Sequence, residues 1–183
     1  MFRQDKATQM AAKFLTLSNK PLPYLLLIKM LYKADREMLL KHGKPITYDQ
    51  WYAMEFGPVL SSTLDLIRAG ANESTYWSDH ISTVGYDVAL KSDPGDDDLS
   101  RAEDAIIEQT FREWGHMDKW DVVDITHTFP EWENPGKSST PIAYKAVLKI
   151  NGFSREDSAN ILGNIEMQND VWALTKTEVE RVA

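Results

Sequence analysis

The sequence contains no cysteine. That absence excludes a disulfide framework, a thiolate metal site and a thiol nucleophile, and it suits a reducing compartment. Histidine is scarce as well: His42, His80, His116 and His127 stand far apart, with no H-E-x-x-H pair to start a zinc site. Neither a G-x-S-x-G nucleophile turn nor a Gly-rich phosphate loop of either common type occurs, so no catalytic residue, metal or cofactor is expected. No apolar run approaches the roughly 20 residues that span a bilayer. The longest, around Tyr24 to Ile28, stops at Lys29, and Asp5 breaks the apolar core that a signal peptide would need. A soluble, cytoplasmic protein without a membrane partner is expected. Basic residues are outnumbered, 20 against 28 acidic ones, for a net charge of −8. Broad phosphate-backbone contact, and with it a nucleic-acid partner, is therefore not expected.

What is present suits one folded domain. The chain has 183 residues, 43% of them hydrophobic and 26% charged, which is ordinary globular usage. Apolar residues at helical spacing predict a first helix over Asp5 to Leu17 and a second from Pro23 to Lys41, closed by His42-Gly43. Ile46 to Ala53 reads as short β-leaning or irregular chain. After Gly57-Pro58 a third helix is expected, with Ser62 and Asp65 spaced as a capping box and Gly70 as its stop. Residues 76–82 and 86–91 read as a hairpin, and Asp93 to Asp98 as an exposed acidic loop. Ser100 with Glu103 caps a further helix, Asp118 starts another, and Pro130 closes it. Beyond a linker at Asn134 to Thr140, Thr140-Pro141 is read as the start of a helix to Ile150, and Ser154 with Asp157 as the cap of the next. Val171, Leu174, Val179 and Val182 then fall loosely on one side of a last helix or tail. The expected fold is mainly α (α+β), a single helical domain with a small antiparallel β ribbon and additional C-terminal helices. Residues 1–133 are taken as the core and 134–183 as a C-terminal extension packed on it or trailing from it.

Within the second helix, at about 100° per residue, Leu27, Met30, Leu31, Ala34 and Met38 share one arc. Lys29, Lys33, Arg36 and Glu37 fall opposite. Asp35 lies beside Ile28, Leu31 and Leu39, where a carboxylate must find donors or shift its pKa. Its expected role is a structural anchor that accepts backbone N–H groups, those around Gly57 and Pro58 among them. His127 is expected as a partly buried imidazole satisfied by a carbonyl or by Asp35. The rigid aromatics Tyr48, Trp51, Tyr52 and Phe56 stand in a connection, where such residues either plug a core or anchor a partner; period-two alternation predicts a split, with Tyr52 in the core and Tyr48 or Trp51 outside.

Three ordered pieces carry a resemblance: Lys29-Met-Leu-Tyr-Lys-Ala-Asp-Arg-Glu37, Gly43-Lys-Pro-Ile-Thr47 and Tyr52-Ala-Met-Glu-Phe-Gly-Pro-Val59, with a looser echo at Ile125-Thr-His-Thr-Phe-Pro-Glu-Trp132. Together they resemble the Panacea domain, the SocA-like antitoxin family. The resemblance implies an antitoxin of a toxin–antitoxin system, of the kind found in prophages, that neutralises a cognate protein toxin by direct binding. Tyr48, Trp51, Glu55, Phe56 and Arg36 are the candidate toxin contacts, and Asp35, Gly57, Pro58 and His127 the candidate structural anchors.

Other readings stay open at this level. The protein could be a proteolytic adaptor that delivers a toxin to a ClpXP-type protease, which would add a protease chaperone as a partner. It could be a hydrolase built on Asp35 and His127, or an interaction protein that redirects a host factor with no toxin involved. Convergence of Asp35, His127 and Glu131 on an open pocket would favour catalysis; a filled site of paired side chains would favour binding.

Overall fold

Nineteen residues between two chain-turning signals form the centre of the molecule. Helix α2 (Tyr24–His42) starts after Pro23, at φ −52°, and ends at Gly43, whose φ of +69° is the left-handed conformation that closes a helix. The computed structural model describes residues 1–70 and 74–182, with side chains through Thr175. Ahead of α2 come helix α1 (Gln4–Ser18) and the two-residue strand β1 (Leu22–Pro23). After it come β2 (Trp51–Met54), β3 (Gly57–Leu60), α3 (Ser61–Ala69), α4 (Tyr76–His80), β4 (Ile81–Val84) and β5 (Asp87–Leu90). The chain continues through α5 (Arg101–Trp114), α6 (Lys119–His127), β6 (Thr140–Ile142), α7 (Tyr144–Ile150) and α8 (Arg155–Val182).

The fold is mainly α with small antiparallel β elements, as the periodicity predicts, but the β part is larger than one ribbon. One sheet has the order β1-β5-β4 and the other β3-β2-β6. Ile46 to Ala53 does not stay irregular up to a Gly-Pro break. Its second half is β2, which pairs with β3 through Trp51↔Leu60 and Met54↔Gly57, so Gly57 and Pro58 lie inside a strand and Glu55-Phe56 make the hairpin tip. Pro58 lacks an N–H, and it sits on the open edge of its sheet, where none is needed. Residues 76–80 are helical, because Thr75 and Ser78 form a reciprocal capping box, so the second hairpin starts only at Ile81. Thr140-Pro141 opens strand β6 instead of a helix and pairs with Tyr52 and Ala53 of β2.

Helix α2 is not amphipathic in its surroundings. α1, α5, α6 and strand β3 all pack on it. Nearly every residue from Leu25 to Leu39 is buried, including Lys29, Lys33 and Arg36 of the face expected to meet water. The core is continuous from Met10 and Phe14 of α1, through α2, to Ile107 and Trp114 of α5 and Val122 of α6. The C-terminal segment contributes Ile142, Val147, Leu148 and Ile165 to that same cluster. No helix among the described residues is long and apolar enough to cross a membrane.

Candidate interaction site on the central helix and hairpin

Asp35 has no exposed surface. Its Oδ1 accepts the backbone N–H groups of Ile46 and Thr47, each at 2.7 Å. Its Oδ2 accepts the Thr47 hydroxyl at 3.1 Å and the Trp51 indole N–H at 2.9 Å. All four partners are donors, which suits an ionised carboxylate. Burial pushes the Asp35 carboxyl up to about 6, opposed by the hydrogen bonds from Thr47, Trp51 and Ile46. At neutral pH it therefore still carries its charge. The chain holds this shape at a cost: Tyr48 takes a φ of +53°, a left-handed conformation that costs an L-residue about 1–2 kcal/mol.

The residue beyond Tyr48 performs a second buried task. Asp49 accepts from the backbone N–H groups of Ser62 and Thr63 at 2.9 and 2.8 Å and from the Thr63 hydroxyl at 2.8 Å. It thus caps α3 from a distance. The expected Ser62–Asp65 box is not the cap, because the N-cap residue is Leu60 and makes no side-chain cap bond. No local spacing signals this, since the cap lies more than ten residues upstream.

Arg36 and Glu131 form the next knot. The Arg36 Nε and Nη2 donate to the two Glu131 oxygens at 2.5 and 3.1 Å, and the Tyr32 hydroxyl donates to Glu131 at 3.0 Å. Phe129 covers the guanidinium, with its ring centroid 4.6 Å away. Lys33 pairs with Glu113 at 2.8 Å. Lys29 forms no ion pair among the described residues: its ammonium donates to the Pro58 carbonyl at 2.8 Å. Burial pushes that amine down to about 7. Gly57 makes room for it. At φ +92°, a Cβ there would collide with the Thr126 hydroxyl and lie 3.1 Å from the Lys29 Nζ.

These contacts redistribute the expected roles. Gly57 and Pro58 engage Lys29 and α6, not Asp35, whose donors come from residues 46, 47 and 51. His127 reaches neither Asp35 nor a carbonyl; its ring stacks on Trp132 at 4.0 Å, and its Nε2 is buried without a partner among the described residues. Asp35, Glu131 and His127 share no hydrogen bond, so the geometry assembles no acid–imidazole pair. Among the described residues no cluster of His, Asp and Glu could hold a metal ion.

Three candidate contact residues are enclosed, which removes them from an accessible face. Trp51 is 2% exposed, bonded to Asp35 and packed edge-on against Tyr32 and Tyr144. Arg36 is held by Glu131. Tyr48 lies against Gln168 of α8, with Arg3 over its ring. Glu55 and Phe56 remain outside. Phe56 is 47% exposed and meets Trp120 of α6, itself 50% exposed, edge to face at 5.7 Å. Trp120 was not among the residues singled out from the sequence. The signal for it exists: Asp118 caps α6, and Trp120 follows two places later, in the exposed first turn. Beside Phe56 a pocket of about 210 Å³ opens, lined by Tyr24, Glu55, Gly57, Arg68 and Lys137 among others, with Lys29 behind Gly57.

The site is therefore a set of buried polar groups, most of them paired within the chain, beneath a hairpin whose tip exposes Phe56 beside Trp120 of α6. Residues 27–133 match the model of the family described as Antitoxin SocA-like, Panacea domain, and the chain belongs to that family. No curated protein and no solved structure matches it.

Proposed function

We propose that this protein is the antitoxin of a toxin–antitoxin pair and neutralises its toxin by direct binding, with the β2–β3 hairpin tip and the start of α6 as the contact face. Membership of the antitoxin family supports the role, and the exposed Phe56–Trp120 pair supports the face. Aromatics held rigidly at a surface make strong interface anchors because they bury much area and lose little entropy. Hydrogen bonds from Lys29 to the Pro58 carbonyl, from the Trp132 indole to the Met54 carbonyl and from the Trp51 indole to Asp35 hold the hairpin in place before any partner arrives, which lowers the ordering cost of association. Glu55 and the cations Arg68 and Lys137 around the adjoining pocket supply polar contacts at its rim. Covering an active site needs an interface of standard size, about 1,600 Å² in total.

The test is co-expression with the neighbouring gene. Toxicity of that gene alone, relieved by this protein and restored by Phe56→Ala with Trp120→Ala, is the expected result. Each truncation should cost about 2 kcal/mol of binding, roughly 30-fold. Both side chains are half exposed, so the melting temperature should stay close to that of the parent. A harmless neighbour, or full protection by the double variant, would count against the proposal.

A further inference from the structure

The C-terminal helices lie beyond the family match, and they form a surface of their own. Helix α7 buries Val147 and Leu148 in the core and leaves Lys145 and Lys149 exposed, one turn apart on the same side. The chain reverses through Asn151 to Ser154, where the Phe153 N–H donates to the Leu148 carbonyl at 3.1 Å. Helix α8 then returns with Arg155, Ser158, Ala159 and Leu162, the i, i+3, i+4, i+7 spacing of one helix face. Between the two runs a groove of about 690 Å³, lined by those residues with Lys145, Lys149 and Phe153. That size is within the range of about 300–1,000 Å³ typical of clefts that bind ligands.

Its charge is opposite to that of the whole chain. The net charge is −8, yet three cations and no carboxylate line this groove. Lys145, Lys149 and Arg155 make no ion pair among the described residues, as is also true of Arg68, Lys119 and Lys137; what sets the three apart is that they line one groove together, with no carboxylate in its lining. The nearby Asp157 is turned to Ser154, whose hydroxyl lies 2.7 Å from its carboxylate. Two helices with an apolar floor and an unmatched cationic rim complement a third helix with an apolar stripe and flanking acids.

We propose that this groove is a second docking surface, which takes an acidic amphipathic helix of a partner protein. The apolar stripe of that helix would sit on Phe153, Ala159 and Leu162, and its flanking carboxylates would pair with Lys145, Lys149 and Arg155. The proposal rests on the groove alone and stands apart from the hairpin face and its toxin.

The test uses the full-length protein, labelled for backbone amide NMR. The probe is a synthetic helical peptide with leucines at i, i+4, i+7 and i+11 and glutamates flanking them. A second peptide of the same composition, with its leucines dispersed around the helix, serves as control, and a short DNA duplex tests the other ligand that cations attract. Saturable shifts at Lys145, Lys149, Phe153, Ala159 and Leu162 with the first peptide only are expected. Lys145→Glu with Lys149→Glu should weaken that binding by about tenfold or more, since reversing rim charges places like against like. Ala159→Glu, at an exposed helical position, should do the same by blocking the floor, and unchanged melting of either variant confirms the fold. Absence of saturable shifts, equal binding of the dispersed control, unaltered affinity in both variants, or tighter binding of the duplex at these residues would overturn the proposal.

Discussion

Asp35 illustrates how one buried carboxylate can fix a chain reversal. Its two oxygens collect donors from residues 46, 47 and 51, so the connection after α2 is tied back to the helix it has just left. Asp35→Asn keeps the shape but turns an amide N–H₂ toward a donor. The expected loss is about 2–4 kcal/mol of unfolding free energy, read from urea denaturation, because buried donors are left facing one another. Partner binding by the folded fraction should survive. The titration of Asp35 has a sign of its own. Its folded pKa of about 6 lies above the ordinary 3.8, so between those values the folded protein keeps a proton that the unfolded chain has lost. Its contribution is present below about 3.8 and is lost as pH rises through about 6. Lys29 acts in a different window. Its folded pKa of about 7 lies below the ordinary 10.5, so across that interval the unfolded chain binds the proton and the folded protein does not. The Lys29 contribution therefore grows as pH rises from about 7 to 10.5 and is lost as pH falls through about 7. Comparing melting temperatures of the parent and Lys29→Met over that range should show the upward trend only in the parent. Parallel curves would mean that Lys29 is not titrating there.

At the scale of elements, what could be read from the sequence followed the range of the interaction responsible. Most helix ends set by neighbours a few residues apart were legible: Gly43 after α2, the Ser100–Glu103 box of α5 and Asp118 before α6 all stand where the spacing puts them, whereas the equally local Thr75–Ser78 box of α4 went unread in a segment whose residues favour a strand. Ser154 likewise accepts the Asp157 N–H at the start of α8. Elements set by distant partners were not. Strand β6 exists because Thr140 to Ile142 find the edge of β2, and α3 is capped by Asp49, a residue on the far side of a hairpin. Glu55 and Phe56 stay exposed because they are the turn between β2 and β3, whereas Trp51 faces Asp35 on the buried side of the same strand. No count of residues separates those fates until the register is known. For the stripe at the chain's end, Val171 and Leu174 are exposed on α8; the side chains of Val179 and Val182 lie outside the described residues.

For the whole molecule, the family match covers residues 27–133, but the fold does not stop there. α1 precedes the match, and Ile142, Val147, Leu148 and Ile165 follow it into the same core. The Tyr144 hydroxyl also donates to the Asp49 carbonyl at 2.6 Å, which braces the segment that serves Asp35 and caps α3. A chain cut after residue 133 would expose the edge of β2 and leave a core missing its C-terminal side. Large cavities and unpaired edges each cost several kcal/mol, comparable to the whole stability of a domain. The truncated chain is therefore expected to lack a cooperative thermal transition by circular dichroism; a sharp transition near that of the full chain would show that the matched region folds alone.

Composition and spacing by themselves determined that this is a folded, mainly α chain with no cysteine and none of the common zinc or phosphate-loop motifs, and they marked Asp35 as a carboxylate in need of donors. Those properties follow from residue type and from contacts within a turn or two. Only the tertiary structure decided that the charged face of α2 is interior, that Lys29, Lys33 and Arg36 are matched by Pro58, Glu113 and Glu131, and that Phe56 with Trp120 forms the exposed pair. A charged side chain can enter a core only if a partner arrives from elsewhere in the chain, and the helix that carries it holds no record of where that partner lies.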